Sequence, residues 1–460
     1  MQQIKKATLH FHSGAGTVTG ANFMLEGAEG TKILFDCGML QGSKIADDKN
    51  WEPFPYDPKS VDALFVSHAH IDHVGRIARF VRHGYSGPIY STGPTREIGL
   101  LLLEDSMGVL EKEYRQGVQG ERIYEEADVK KAGELWKPVE YHEQIKVGEF
   151  SAVLRDAGHI LGSAMVEITY NGKKLVYTGD LGNTPAPIVR DTEEITDATY
   201  LIMETVYGNR NHEDNKERTD KLRRIIRRSM KAGGTLMIPA FSVERTQDFL
   251  YEVNNMVEND EIPDVPIYLD SPLAIKVTDV YAKYTNLFNK ATQAVIKSGD
   301  DIFKFPGLKR TLKTEESKAI RDDRGPKIII AGSGMSNGGR IIHHEKLYLP
   351  DPHSTLLIAS YQAAGTLGRM LKDGAKRVWI LGTPVNVRAK IENLDGYSAH
   401  KDGDGLFDFV AKASESGVLK KVFMVLGEPA SSLYMVQRVR DNLGVDAIAP
   451  ERGDKVDLEF

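Results

Sequence analysis

A single cysteine, Cys37, stands in 460 residues. No disulfide framework and no multi-cysteine zinc module can be built from it, so any metal must be held by histidines and carboxylates, and the chain suits a reducing compartment. Long apolar runs are missing too. No stretch approaches the roughly 18 residues a membrane-spanning helix needs, and the opening MQQIKKATLHFHSG has no apolar segment of signal-peptide length. The sequence is therefore read as cytoplasmic, with no membrane partner. Nor is there an excess of positive charge: 59 Lys and Arg against 65 Asp and Glu leave a formal net charge of −6. That denies the chain a global field for a polyanion, so any nucleic acid would have to be attracted locally. Repeats of fixed period and low-complexity tracts are absent as well, which excludes a solenoid.

What is present describes a large folded α/β protein: 41% apolar residues, 27% charged residues and 43 glycines. This length predicts two or three structural units. Short β-rich runs open the chain at Ala7–Phe11, Asn22–Leu25 and Lys32–Phe35, the last stopping at Asp36-Cys37-Gly38. Another run, Ala63–Val66, ends directly at Ser67-His68-Ala69-His70. Helical periodicity marks Ile98–Val118 and Lys221–Ala232; in the latter Leu222, Ile225, Ile226 and Met230 share a face. Arg223, Arg224, Arg227 and Arg228 lie largely off that face and read first as a solvated basic surface, second as an RNA contact. Segments 211–231 and 301–327 are charge-dense and lack the strand rhythm of their flanks, which suggests an inserted domain. Strand runs then return at Lys327–Ala331, Thr355–Ala359, Val378–Leu381 and Lys421–Val425.

The chemistry concentrates at His68-Ala69-His70-Ile71-Asp72-His73. In an extended segment residues two apart point the same way, so His68 and His70 can share one metal, while a turn lets Asp72 and His73 face a neighbouring one. Neither position is then full. Asp156–Ser163 brings His159 after the apolar run Ala152–Leu154, and Val176–Gly182 brings Asp180 after Lys174–Val176. Both lie at strand ends in glycine-bearing turns, and a carboxylate such as Asp180 can bridge two cations.

Three motifs in this order, SHAHIDH, DAGHILGSA and YTGDLG, resemble the successive metal-binding motifs of the metallo-β-lactamase superfamily. Glu204-Thr205-Val206-Tyr207-Gly208 resembles the segment that opens the β-CASP insertion of its nucleic-acid-processing branch. Ile238–Gln247, Tyr268–Ala274, Ala331–Met335 and Gly365–Arg369 look like segments of that insertion, and Gly396–His400 like the histidine motif after it. The resemblance covers nearly the whole chain. It implies a four-layer αββα core of residues 1–207 with 378–460, and an α/β β-CASP insertion at 208–377. It also implies a ribonuclease related to the endonuclease subunit of the pre-mRNA cleavage machinery, acting on single-stranded RNA, with room for a homodimer. By the same resemblance two zinc ions are expected: His68, His70 and His159 on one, Asp72 and His73 on the other, Asp180 bridging. Asp72, Glu204 and His400 form the catalytic group, with Glu204 orienting a metal-bound histidine and His400 protonating the leaving oxygen. Ser333, Gly334 and Met335, with Gly365, Thr366 and Arg369, are assigned to RNA phosphates.

One position departs from the pattern. The family's Val-His-Gly-Glu segment, which completes the second zinc, corresponds here to Val425-Leu426-Gly427-Glu428. An isobutyl group cannot donate to a metal, so the second site is expected to be weakened and the first preserved. Two rival readings follow: a metallo-hydrolase of a small ester or thioester, which the ligand set permits but the insertion of some 170 residues argues against, and a non-catalytic RNA-binding subunit, which Leu426 favours. Metal content and turnover separate them. Asp36 is read as orienting a ligand histidine, Cys37 as a buried apolar residue, and His10 and His12 as packing residues. His343 and His344 are read as cleft or surface residues and kept out of the metal set.

Overall fold

The computed structural model describes residues 4–42, 48–115, 122–212, 215–360, 362–363, 365–394 and 396–460. The chain divides into two compact units, Met1–Asn211 with Ala399–Phe460, and His212–Ser398.

Two seven-stranded sheets build the first unit. One has the spatial order Lys455–Glu459, Lys6–Ser13, Asn22–Gly27, Lys32–Phe35, Ala63–Phe65, Ile89–Ser91, Trp136–Pro138; the other, Asp446–Ile448, Lys421–Val425, Tyr200–Glu204, Lys173–Tyr177, Ala164–Tyr170, Phe150–Asp156, Ile145–Val147. Strand side chains alternate between faces, so Leu9, Phe11, Phe23 and Phe65 of the first sheet meet Leu154, Ile168, Ile202 and Phe423 of the second in one buried core. The outward-facing set of the first sheet, Leu34, Leu64 and Ile89, packs on Ile77, Phe80, Leu103 and Val129 from the helices Ile77–Arg82, Gly93–Arg115 and Glu126–Leu135. On the second sheet Val176, Leu201, Val422 and Met424 pack on Leu406, Val410, Met435 and Val439 from Gly403–Ser414 and Pro429–Leu443. This is the αββα layering that the resemblance implied. The helix read over Ile98–Val118 spans Gly93–Arg115, and residues 116–118 lie outside the described residues. Within the second sheet, Lys173–Tyr177, Tyr200–Glu204 and Lys421–Val425 run parallel as neighbours. Their carboxyl ends, leading to Asp180, Glu204 and Leu426, therefore lie along one edge.

A six-stranded, wholly parallel sheet forms the second unit, ordered Leu308–Arg310, Ile267–Leu269, Lys327–Ala331, Thr235–Pro239, Thr355–Ile358, Lys390–Asn393. Its buried runs, such as Ile328, Ile329 and Ile330, read as continuous apolar stretches because both faces are covered. The boundary expected at 377 moves. Arg377–Ile380 pairs with Thr383–Asn386 in a two-stranded ladder whose Val378, Ile380 and Val385 pack on the second unit's core. Lys390–Asn393 then adds a parallel edge strand beside Thr355–Ile358, so this unit continues to Ser398. The alternation of Val378 and Ile380 shows that the run is a strand but not which sheet receives it.

The helix Asn215–Ala232 buries Leu222, Ile225, Ile226 and Met230. Of Arg223, Arg224, Arg227 and Arg228, three are engaged within the chain: Arg223 with Glu261 and Asp220, Arg228 with Glu392, and Arg227 with the Glu261 carbonyl. Among the described residues no helix is long and apolar enough to cross a membrane.

Candidate metal centre

The buried strand Ala63–Phe65 delivers Ser67 and His68 at its carboxyl end, after which one helical turn, Ile71–Val74, carries Asp72 and His73. Gly38 lets that turn come close: a Cβ there would lie 1.5 Å from the Asp72 carbonyl oxygen. His159 follows Phe150–Asp156, and its amide donates to Ser163 Oγ at 3.0 Å. Asp180 follows Lys173–Tyr177.

Three imidazole nitrogens converge. His68 Nε2 is 3.1 Å from His70 Nδ1, and His159 Nε2 is 3.2 Å from the same atom. Asp180 Oδ2 completes the group at 3.3 Å from His68 Nε2 and 3.7 Å from His159 Nε2. Tetrahedral zinc with nitrogen arms of ~2.0–2.1 Å holds its ligand atoms roughly 3.3–3.4 Å apart, so these donors have the spacing of one complete ligand set, and all but half-buried His70 are buried. A second set is partial. His73 Nε2 is 3.5 Å from Asp180 Oδ2 and 3.8 Å from Asp72 Oδ2, and this buried nitrogen has no hydrogen-bond partner. Its other nitrogen, Nδ1, meets Asp36 Oδ2 at 2.7 Å. Asp36 thus fixes the ring and aims Nε2 at Asp180 and Asp72. Tyr177 Oη and Ser67 Oγ hold the same carboxylate oxygen at 2.7 and 2.6 Å.

Protonation follows the same division. Burial, reinforced by neighbouring imidazoles, pushes His68 down and His70 and His159 well down from the ordinary histidine range. They are therefore neutral near pH 7, as metal ligands must be. Burial opposes the charge on His73 as well, but Asp180, Asp36 and Asp72 outweigh it and raise its pKa. Burial would raise Asp180, yet His73 and His68 hold it well below the usual carboxylate range. For His400 burial is overcome by Glu204 and Asp180, which lift it to about 10.

Glu204 does not orient a metal-ligating histidine as expected. Its Oε1 faces His400 Nδ1 at 3.1 Å and accepts from the Leu181 amide at 2.9 Å, while Oε2 accepts from the Val206 amide at 3.1 Å. Asp180, Glu204 and His400 also bring one donor each within 4.8 Å of one another. The reason is register: Glu204 ends a strand beside that of Asp180, and a bridge between Gly182 and His400 lays the histidine alongside it.

Three family models match successive parts of the chain: a metallo-beta-lactamase superfamily domain over residues 24–198, a Beta-Casp domain over 246–371, and a Zn-dependent metallo-hydrolase RNA specificity domain over 384–450. The chain is 38% identical to Ribonuclease TTHA0252 of Thermus thermophilus over 86% of its own length and 89% of that protein's. The chain belongs to the β-CASP branch of the metallo-β-lactamase superfamily. An RNase J-like protein of Methanocaldococcus jannaschii is 32% identical, with 97% and 98% of the two chains covered. Transcription termination factor FttA of Methanosarcina mazei is 29% identical over 95% of this chain and 69% of that one. A solved protein of unknown function from Enterococcus faecalis shares the fold, with a TM-score of 0.56, 16% identity, and 98% and 100% coverage.

Within this β-CASP protein Leu426 is fully buried in the core between the two sheets, with φ of 49° and its amide donating to the Gly14 carbonyl at 2.8 Å. A left-handed backbone costs leucine about 1–2 kcal/mol, whereas histidine adopts it more readily. In the second unit the Ser333–Met335 and Gly365–Arg369 turns lie together. Gly334 O accepts from Ser360 Oγ and Gln362 Nε2, both at 2.9 Å, and Met335 O accepts from the Gly368 amide at 3.1 Å. Thr366 caps the short helix Leu367–Lys372, and Arg369 pairs with Asp373 at 2.8 Å. His344 is a buried partner of Asp270, while His343 is exposed. His10 and His12 stack with centroids 5.5 Å apart, and Cys37 is buried. Sequence reasoning passed over Ser67 and Tyr177, the other holders of Asp36. The position of Ser67 directly before His68 was the available signal.

Proposed function

We propose that this chain is a zinc-dependent ribonuclease that hydrolyses phosphodiester bonds of single-stranded RNA. The observation that carries the reading is the convergence of His68 Nε2, His70 Nδ1 and His159 Nε2 on Asp180 Oδ2. The names of its relatives, Ribonuclease TTHA0252 and RNase J-like protein, and the RNA specificity domain over residues 384–450 support RNA as the substrate. His68, His70, His159 and Asp180 would hold the first metal. Asp72, His73 and Asp180 would hold a second, more weakly, because Leu426 brings no donor to the edge of the sheet where the family carries a histidine.

When bound, the metal supplies Lewis acidity toward a phosphoryl oxygen and positive charge for a transition state that gains negative charge. The residues do the rest. Asp36 fixes the His73 ring. Glu204, itself fixed by two backbone amides, keeps a proton on His400 Nδ1 and so maintains the imidazolium, whose other nitrogen passes a proton to the departing ribose oxygen. Glu204, the largest of the influences that raise the His400 pKa, favours the charged ring and with it the approach of a phosphate. The paired turns Ser333–Met335 and Gly365–Arg369 are assigned to backbone phosphates, chiefly through their peptide groups, since the Asp373 carboxylate offsets Arg369.

Leu426 favours a second reading, an RNA-binding subunit without turnover. Cleavage of 5′-monophosphorylated and 5′-hydroxylated single-stranded RNA, with and without chelator, tests both: chelator-sensitive cleavage supports the ribonuclease, and RNA binding without cleavage at full metal loading supports the subunit.

A further inference from the structure

Lys401 stands next to His400. Its half-buried ammonium donates to the Gly182 carbonyl at 2.7 Å, to Thr192 Oγ1 at 3.0 Å and to Thr184 Oγ1 at 3.4 Å. None of these acceptors is a carboxylate, although Asp191, Glu204 and Asp402 lie near enough to favour the charge. The acceptors lie on the segment that follows Asp180, and Thr192 extends the connection: its hydroxyl donates to the Ala157 carbonyl at 2.9 Å, two residues before His159. The Gly182 amide donates to the same carbonyl at 2.9 Å.

Backbone contacts lie under these side chains. The Lys401 amide donates to Leu181 O at 2.8 Å and the Asn183 amide to Ala399 O at 2.7 Å, around the bridge between Gly182 and His400. The approach of the loops requires glycine at 182, where a Cβ would lie 1.8 Å from the Gly158 carbonyl oxygen. The loops bearing His159, Asp180 and His400 are thus stacked in that order, and the Lys401 ammonium reaches across the stack.

We propose that Lys401 is a positioning residue for the metal centre: its ammonium closes a clamp, with Thr192 as the second member, that fixes His159, Asp180 and His400 relative to one another. This rests on the metal-dependent reading above. A ligand set is bound tightly only when its donors are held at their bound spacing before the metal arrives, and removing an outer partner that holds them typically weakens affinity about 10- to 100-fold. Lys401→Met keeps the aliphatic stem and deletes all three donors, Lys401→Arg keeps charge and donors, and Thr192→Val deletes the acceptor at nearly constant shape.

The test is cobalt(II) titration of the metal-stripped full chain, followed by visible absorption, with thermal melting of each stripped variant as the folding control. Lys401→Met is expected to bind cobalt about 10- to 100-fold more weakly, with an altered absorption band and a melting curve close to that of the parent. Lys401→Arg should stay within about threefold of the parent, and the Lys401→Met/Thr192→Val pair should lose less than the two single losses combined, because members of one clamp are not additive. Parental affinity and spectrum in Lys401→Met, equal loss in the Met and Arg variants, or fully additive losses overturns the clamp alone. A parent chain that binds no cobalt overturns the metal reading and the clamp with it.

Discussion

Two buried polar clusters in this molecule are made of similar residues and differ in completeness. In the second unit the Asp270 carboxylate accepts from Thr311 Oγ1 and Ser317 Oγ at 2.6 Å, and from Arg340 Nη1 and His344 Nε2 at 2.7 Å. Every lone-pair direction has a donor, and although burial opposes its charge, His344, Ser317, Thr311 and Arg340 hold the carboxyl far below its ordinary range. In the first unit the nitrogens of His68, His70 and His159 face one another at 3.1 to 3.2 Å, and His73 Nε2 has no hydrogen-bond partner, only the Asp180 and Asp72 carboxylates at 3.5 and 3.8 Å. Folding alone favours the saturated arrangement. Buried lone pairs that converge on one another in this way suit a cation.

The comparison breaks most directly at its two centres. Asp180→Ala should remove the metal and lower single-turnover RNA cleavage by on the order of a thousandfold or more, with little effect on the urea midpoint of the stripped chain. Asp270→Ala should do the reverse: it strands Arg340 and His344 and costs about 3–5 kcal/mol of stability in urea titration, while metal content per folded chain stays unchanged. Equal metal loss in both variants would abolish the distinction.

A smaller effect comes from Glu345 in the second unit. Burial pushes its carboxyl from 4.5 up to about 8, only partly offset by the Ser336 hydroxyl. The folded chain then keeps the proton while the unfolded chain loses it, so stability falls as pH rises from about 4.5 to about 8 and levels off above. The fall is on the order of a few kcal/mol. Urea midpoints at pH 5 and pH 8 should show this slope in the parent and lose most of it in Glu345→Gln; an unchanged slope would place the titration elsewhere.

Leu426→His sharpens the comparison from the other side. It supplies a donor at a left-handed position that histidine tolerates, and is expected to raise bound metal toward two per chain and turnover by about tenfold or more. The smallest effect is expected at the basic helix. Arg228→Ala breaks an exposed pair with Glu392 and should change stability by less than about 1 kcal/mol, with RNA affinity unchanged if these arginines serve the fold and lowered if they also touch RNA.

Much of this was legible in the sequence, for physical reasons that also mark where it stopped. Metal-ligand motifs are local: His68, His70, Asp72 and His73 stand within one strand end and one turn, and His159 and Asp180 stand at strand ends with glycine-bearing turns beside them. The αββα layering followed from the family resemblance that those motifs carry. The end of the second unit did not, because Val378 and Ile380 alternate as a strand would in either sheet, and only the pairing of Lys390–Asn393 with Thr355–Ile358 decides it. The partner of Glu204 was misjudged because it depends on a long-range bridge between Gly182 and His400. Lys401 carried no signal at all, since its three acceptors lie on the sequence-distant segment after Asp180 and none is charged.

The central claim is that the histidine cluster holds metal for RNA hydrolysis. Metal analysis of the purified full chain beside single-turnover cleavage of single-stranded RNA, before chelation, after it and after zinc is restored, tests this most directly. The account predicts at least one zinc per chain, cleavage lost with the metal and regained with it. Cleavage that persists in metal-free protein, or a fully zinc-loaded chain that binds RNA and leaves it intact, would contradict it.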